Sequence, residues 1–194
     1  MPSPTRQKII DAAKKRFYRD GFRNVGIDQI LADVGISKTA FYKHFECKED
    51  LMLAALEDQD RWVRQTFTDM VRKHTAQSGA DQLMALFDVV DSLVASDDFQ
   101  GCIFVHAAIE FPLPHDPAHL AAARNKKSME DLIEQLAAEA GAPNSRALAQ
   151  ELVLIMEGVY VTKHLTRNPA AVEIARRVAR RAIAAHLPEA VGAD

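Results

Sequence analysis

The distribution of proline and glycine is the feature that most limits how this chain folds. No proline occurs from Thr5 through Phe111, and the only glycines between Lys48 and Phe111 are Gly79 and Gly101. Because these two residue types are the main interrupters of helices, long helices are permitted over most of the chain. No segment alternates apolar and polar residues for long enough to indicate a strand. The sequence therefore predicts an all-α protein.

Turn-forming segments divide the chain into about nine predicted helices. The first starts at Pro4-Thr5 and stops at Gly21, and two short helices follow it. We expect a head of three helices over residues 1–47 and a helical bundle body over residues 48–194. Six longer helices are predicted in the body, near residues 48–75, 80–96, 101–111, 117–140, 145–166 and 169–187.

The two short helices have the pattern of a helix-turn-helix. The first has one apolar face, made by residues at i, i+3, i+4 and i+7: Ile27, Ile30, Leu31 and Val34. Gly35 follows, the residue best able to adopt the left-handed conformation that often ends a helix. Ser37 can then accept a hydrogen bond from the free backbone N–H groups that begin the next helix. The turn is therefore predicted at Gly35-Ile36-Ser37.

The second short helix has an apolar inner face and a polar outer face. Phe41 and Phe45 are four residues apart and point toward the first short helix. Successive steps of about 100° place three residues on the opposite side: Thr39, Ala40 and Lys43. The flanking side chains can each meet a phosphate oxygen: Lys38, Tyr42 and His44. A small outer face with basic flanks suits the major groove of DNA.

Charge is distributed unevenly along the chain. Residues 1–48 contain ten Lys or Arg against five Asp or Glu, a net charge of +5. The remaining residues contain 14 basic and 22 acidic side chains, a net charge of −8, and the whole chain is −3. This asymmetry draws the N-terminal end toward a polyanion, so the low overall pI is no objection to DNA binding.

The order of these motifs resembles the signature of the TetR family of transcriptional regulators. The resemblance is strong over residues 5–56 and only architectural beyond them. It rests on three motifs: Gly35-Ile36-Ser37, Tyr42-Lys43-His44-Phe45 and Lys48-Glu49-Asp50-Leu51. It implies phosphate contacts from Tyr42, His44 and Lys48, with Lys48 opening the helix that links head and body. It also implies groove contacts from Ser37, Thr39, Ala40 and Lys43.

The first short helix supports the second, which is the reading helix, and the capping residues of this supporting helix depart from the signature. The family usually has Thr followed by Ser or Thr where this chain has Val25 and Gly26. We expect Asp28 to cap the supporting helix instead.

By the same resemblance the chain is expected to be a homodimeric repressor, released from a palindromic operator by a small-molecule effector of unknown identity. The last two long helices of each subunit would pair in the dimer. Two apolar stripes fit this role: Leu148, Leu152, Ile155 and Val159 in one helix, and Val172, Ala175, Ala179 and Ile183 in the next. The alternative is that both stripes face the core of the body.

An apolar run after Gly101 contains His106 and Glu110, four residues apart on one predicted helix face. One interpretation is an internal His-Glu hydrogen bond that holds this helix against its neighbours. The other makes them polar anchors in a largely apolar ligand pocket. The predicted lining is then Met84, Phe87, Phe104, His106, Glu110, Phe111, Met156 and Tyr160. The same side chains would also suit an ordinary core.

Other sensing chemistries are minority alternatives. A metal site could draw on His106, Glu110, His115, Asp116 and His119, although intervening prolines interrupt any common helical face. Cys47, near Lys43, His44 and Lys48 at a helix N-terminus, could act as a redox switch.

The remaining patterns bound the class of protein. No catalytic or dinucleotide-binding motif is present, so the chain is not expected to be an enzyme, and no cofactor is expected. A helical protein-interaction module is a further, weaker alternative. Two distant cysteines, no membrane-length apolar run and no secretory signal lead us to expect a cytoplasmic protein.

Overall fold

Nine α-helices and no β-strand make up residues 3–73 and 78–187, the part of the chain that the computed structural model describes. The helices are α1 (Pro4–Asp20), α2 (Ile27–Val34), α3 (Lys38–Tyr42), α4 (Lys48–Lys73), α5 (Gly79–Val94), α6 (Ile103–Glu110), α7 (Pro117–Glu139), α8 (Ser145–Thr166) and α9 (Ala171–His186). The prediction of an all-α fold is confirmed.

The predicted helix limits lie within about two residues of the observed ones because local signals fix them. Four helices begin after a polar side chain that accepts from the backbone N–H three residues on: Ser3, Ser37, Ser78 and Asn144. Such caps satisfy donors that have no partner inside the helix. The predicted end of the fourth helix, residue 75, lies outside the described residues.

The helices form two compact units, each with its own core. The first contains residues 1–63 and 102–125, and the second contains residues 64–101 and 126–194. The chain therefore changes unit within α4, before α6 and within α7. As a division of function, the predicted boundary at residue 47 stays a prediction.

The core of the first unit joins the three N-terminal helices to parts of α4, α6 and α7. Its largest fully buried side chains are aromatic and aliphatic: Ile9, Ile10, Phe17, Phe22, Ile30, Phe41, Leu51 and Leu56. Ile103, Phe104 and Ala107 of α6 are buried in the same core. The short helices α2 and α3 thus depend on residues from distant parts of the sequence.

The second unit is held mainly by the packing of α5, α8 and α9. The buried side of α5 contains Leu83, Leu86 and Phe87, which are all fully covered. Arg176 of α9 donates to the Asp88 carboxylate at 2.6 Å and to the Phe87 carbonyl at 3.2 Å. None of the described helices combines the length and the apolarity that a membrane span requires.

A bidentate ion pair joins α1 to α2 in the first unit. Arg16 donates from Nε to Asp33 Oδ2 at 2.6 Å and from a terminal nitrogen to Asp33 Oδ1 at 2.7 Å. The Arg16 hydrogen bonds hold the pKa of Asp33 below its ordinary value. Because the pKa falls on folding, this pair stabilises the fold while Asp33 is ionised and is lost on protonation.

We expect Asp33→Asn to lower the free energy of unfolding at neutral pH, because the amide cannot accept both Arg16 bonds as a carboxylate does. The difference from the native protein should shrink as the pH falls below 3.8, the ordinary pKa of the group. Urea denaturation followed by circular dichroism over a pH series measures it, with Glu46→Gln as the matched charge control. A difference that stays constant into acid would contradict the assignment.

Candidate nucleic-acid interface

The turn between α2 and α3 has the predicted geometry. Gly35 adopts a left-handed conformation, φ 72° and ψ 39°, and its N–H donates to the Leu31 carbonyl at 2.9 Å. Ser37 Oγ accepts from the Ala40 N–H at 3.2 Å and so starts α3. The sharp change of direction lets α3 leave α2 without a long connection, as a reading helix requires.

Two phenylalanines fix the orientation of α3. Phe41 is fully buried and Phe45 is 4% exposed, and their ring centroids are 5.6 Å apart. The guanidinium of Arg6 lies over the Phe45 ring at 4.8 Å. Since this side of α3 faces the core, the opposite side is presented to solvent.

The outer side of α3 carries most of the predicted DNA contacts. Five of the eight are exposed: Ser37, Lys38, Thr39, Tyr42 and Lys43. Tyr42 is 56% exposed, an unusual position for an aromatic side chain in a small head. Ala40 and His44 are half-buried. Lys43 follows the last residue of α3, so the reading helix is shorter than the pattern through Phe45 indicated.

The start of α2 differs from the sequence prediction. Asp28 does not cap the helix; its carboxylate instead pairs with the Lys38 ammonium at 2.9 Å. The Gly26 N–H donates to the side-chain carbonyl of Gln29 at 2.8 Å, so Gln29 supplies the capping contact that was predicted for Asp28. The Asp28 hydrogen bond, and then its charge, raise the pKa of Lys38. The pair ties the first residue of α3 to the first turn of α2.

Lys48 begins α4, as predicted, and it has a partner within the head. Its ammonium donates to the Arg23 carbonyl at 3.3 Å, in the turn between α1 and α2. The side chain is half-buried. The phosphate contact stays a prediction, and the Arg23 bond holds the ammonium against the α1–α2 turn.

The eight side chains predicted to line a ligand pocket are divided equally between the two units. In the first unit, Phe104 is 3% exposed and Phe111 packs against the same core. In the second unit, Phe87 and Met156 are buried and Met84 and Tyr160 are half-buried. The pocket stays a prediction.

The structure gives His106 and Glu110 other contacts than those predicted. The His106 ring stacks on Tyr18, with centroids 6.2 Å apart and planes at 22°. The Glu110 carboxylate accepts from the Phe22 N–H at 2.8 Å and the Arg23 N–H at 2.7 Å. The sequence could not reveal these bonds, because Phe22 and Arg23 lie 88 and 87 residues before Glu110 in the chain.

The residues predicted for a dimer interface need a correction. Seven of the eight are buried within the single chain: Leu148, Leu152, Val159, Val172, Ala175, Ala179 and Ile183. Ile155 is half-buried. A side chain that the chain itself covers cannot also meet a second copy, so these stripes form the core of the second unit. The exposed apolar residues of α8 and α9 lie on other faces: Leu154, Val161, Leu165, Ile174 and Val178.

The metal and redox alternatives gain no support from the structure. Among the described residues, no three His, Cys, Asp or Glu side chains come together as a metal site. His119 Nδ1 lies 3.0 Å from the Phe111 carbonyl, and Glu110 is engaged by the α1–α2 turn. Cys47 is a half-buried free thiol, and the Glu46 N–H beside it donates to Asp50 Oδ2 at 3.1 Å.

A basic three-helix head with an exposed reading helix defines a DNA-binding helix-turn-helix protein. Comparison with family models agrees: one described as bacterial regulatory proteins of the tetR family matches residues 9–55. A second, described as a tetracyclin repressor-like C-terminal domain, matches residues 79–179. The chain belongs to the TetR family of transcriptional regulators, which are DNA-binding proteins and not enzymes.

Similar proteins of this family match nearly the whole chain. The HTH-type transcriptional regulator YjdC of Escherichia coli is 23% identical over 178 residues, covering 90% of this chain and 91% of that protein. LmrA of Bacillus subtilis, also an HTH-type regulator, is 26% identical and covers 84% and 88%. A solved TetR-family regulator from Streptomyces coelicolor is 26% identical, covers 95% and 96%, and has a TM-score of 0.87.

We expect Thr39→Ala/Lys43→Ala to remove sequence preference. The measurement is enrichment of fragments from a genomic DNA pool, followed by titration of the enriched fragment. Two lost groove contacts should weaken specific binding by about 100-fold, since each good base contact contributes about 1–3 kcal/mol of discrimination. Lys15→Ala, which removes the same charge from an exposed site on α1, is the control and should keep the preference. Equal enrichment by all three proteins would contradict the assignment of the reading face.

Proposed function

We propose that this regulator is a homodimeric repressor that binds a palindromic operator and is released when a small molecule binds its helical body. The observation that carries the dimer is an exposed apolar face on α8 and α9. One head binds one half-site of the operator, and the second copy in the dimer would provide the head for the other half-site.

The exposed face of α8 is continuous along the helix. Leu154, Gly158, Val161 and Leu165 fall at i, i+4, i+7 and i+11 and so lie on one side. Leu154 is 72% exposed and Leu165 is 71% exposed in the single chain. Large apolar side chains grouped on one surface mark a contact with another molecule.

Helix α9 contributes a second exposed apolar pair, and both helices suit close packing. Ile174 and Val178, one turn apart, are 41% and 42% exposed. A Cβ added at Gly158 would meet no atom within 4 Å, so the α8 backbone is open to a neighbouring helix at this point. A face that meets the same face of a second copy gives a closed two-fold dimer. Four helices, α8 and α9 from each copy, would form the interface.

A two-fold dimer has a direct consequence for DNA. Two reading helices related by the same axis recognise a site with inverted half-sites about 34–36 Å apart. The operator is therefore proposed to be palindromic. An affinity sufficient for repression needs both half-sites, since each head makes only a small set of contacts.

We expect Leu154→Glu to abolish the dimer, because the charge is tolerated on an exposed face but would be desolvated in the interface. Sedimentation velocity should give half the mass of the native protein, and affinity for the symmetric operator should fall by at least about 100-fold. Leu113→Glu, at a residue 57% exposed between α6 and α7, is the control. A monomeric native protein, or a Leu154→Glu protein with unchanged mass, would contradict the proposal.

The effector proposal rests on the different charge and composition of the head and the helical body. Residues 1–48 carry a net charge of +5, whereas the residues after 48 carry a net charge of −8 and five of the six methionines. A ligand that binds one conformation of the body more tightly shifts the population toward it. If that conformation holds the two heads at the wrong spacing, ligand binding weakens DNA binding by the same coupling free energy.

We expect a compound that raises the melting temperature of the purified protein to lower its affinity for the enriched operator. Linkage requires the operator to lower the affinity for that compound by the same factor, typically about 5–150-fold. Fluorescence anisotropy with labelled operator measures the first effect, and calorimetry with and without operator measures the second. Equal operator affinity with and without a bound compound would contradict release by that compound.

A further inference from the structure

One carboxylate from α6 binds the turn that connects α1 and α2. Glu110 Oε1 accepts from the Phe22 N–H at 2.8 Å, and Oε2 accepts from the Arg23 N–H at 2.7 Å. Both distances are in the range of charge-assisted hydrogen bonds, about 2.7–2.9 Å. The carboxylate also lies close to Gly21: a Cβ at that residue would be 3.1 Å from Oε1. The turn is therefore shaped around this side chain.

The same peptide segment is held from its carbonyl side by α4. The Lys48 ammonium donates to the Arg23 carbonyl at 3.3 Å. Arg23 thus has its N–H bonded to an acidic side chain and its C=O bonded to a basic one. The two Glu110 bonds, at 2.8 and 2.7 Å, are the shorter contacts, and the Lys48 bond at 3.3 Å is the longer one.

Aromatic contacts reinforce the link between α6 and the turn. The Arg23 guanidinium lies over the Phe111 ring at 5.1 Å, and Phe111 meets Phe22 edge-on with centroids 6.3 Å apart. One turn earlier on α6, His106 stacks on Tyr18 of α1. The end of α6 and the α1–α2 turn therefore form one continuous set of contacts within the first unit.

The turn needs such support because it sets the direction of α2. Gly21 ends α1 with φ 84°, and Gly26 precedes α2 with no side chain of its own to cap it. Helix α3 follows α2 after a three-residue turn, so a change in the entry to α2 moves the reading helix as well. A displacement of about 1 Å is enough to spoil a set of hydrogen bonds to bases.

We propose that Glu110 is a positioning residue for sequence-specific DNA binding: its carboxylate fixes the Phe22 and Arg23 peptides, and thereby the presentation of α2 and α3. It acts through the turn and touches no DNA. This inference deepens the DNA-binding function and depends on neither the dimer nor the effector. It also gives Lys48 a second role, as the partner that holds the Arg23 carbonyl.

A positioning role and a general effect of charge predict opposite changes in the affinity for the specific site. Removing an acidic group next to a basic head strengthens the attraction of the head to any DNA. A positioning role predicts the opposite for the specific site, because the bases are then read from a displaced helix. The ratio of specific to non-specific affinity is therefore the quantity to measure, at one fixed salt concentration.

The test uses Glu110→Gln in the full-length protein. The carboxamide has nearly the same shape, but its NH2 group replaces one of the two acceptor oxygens and would face a backbone N–H, so both bonds cannot form in this geometry. Affinity for the enriched genomic fragment should fall about tenfold or more, while affinity for a scrambled duplex stays equal or rises. Glu57→Gln, at an exposed glutamate of α4 in the same unit, removes the same charge and should leave the affinity ratio unchanged.

Amide hydrogen exchange tests the contact without any DNA. In the native protein the Phe22 and Arg23 amides should be protected from exchange although they lie between helices. Glu110→Gln should raise their exchange rates at least about tenfold, while the amides of α5 keep their protection. Rapid exchange of both amides in the native protein would overturn the proposal. So would an unchanged affinity ratio in a folded Glu110→Gln protein.

The two proposals fail in different ways. If the native protein retains no genomic fragment, the operator proposal fails while the exchange measurement still judges the Glu110 contact. If Glu110→Gln does not fold, the native exchange pattern decides alone. A protein that keeps its fragment but loses nothing on Glu110→Gln leaves the operator proposal intact and refutes the positioning role.

Discussion

The burial of Phe41 is the interaction on which the DNA-binding head depends. Helix α3 has only five residues, far too few to form a stable helix in water on its own. Full burial of one phenylalanine stabilises by about 1.5–3 kcal/mol, which offsets part of the ordering cost of about 1–2 kcal/mol per residue. Phe45 adds a second anchor four residues on. The inner face of α3 is therefore its main anchor, beside the Ser37 cap and the Lys38–Asp28 pair.

Local features were predictable from the sequence, and the reason is physical. Prolines, glycines and capping side chains act within a few residues, so the sequence predicts the places of Gly35, Ser37 and Lys48 correctly. The supporting helix shows the limit of such reasoning. The sequence predicted Asp28 as the cap. In the fold, Asp28 pairs with Lys38, ten positions along the chain, and Gln29 accepts the Gly26 N–H instead.

Burial on α8 and α9 could not be assigned from the sequence. Both sides of α8 have helical apolar spacing: Leu148 and Leu152 on one, Leu154 and Val161 on the other. Periodicity identifies a stripe but does not say whether its partner is α5 or a second chain. The role of Glu110 was hidden for a related reason, since its partners are backbone amides. Any residue supplies a backbone amide, so no residue pattern records the contact.

The first unit is assembled from two stretches of sequence, residues 1–63 and 102–125. During synthesis the N-terminal helices emerge from the ribosome well before Phe104 and Glu110, which complete their core and brace their turn. The head therefore reaches its final form only after α6 has been made. For the same reason, a chimaera joined at residue 47 would pair one protein's reading helix with another's α6. The head of this protein can therefore be exchanged for that of a relative only together with the segment 102–125 that supports it.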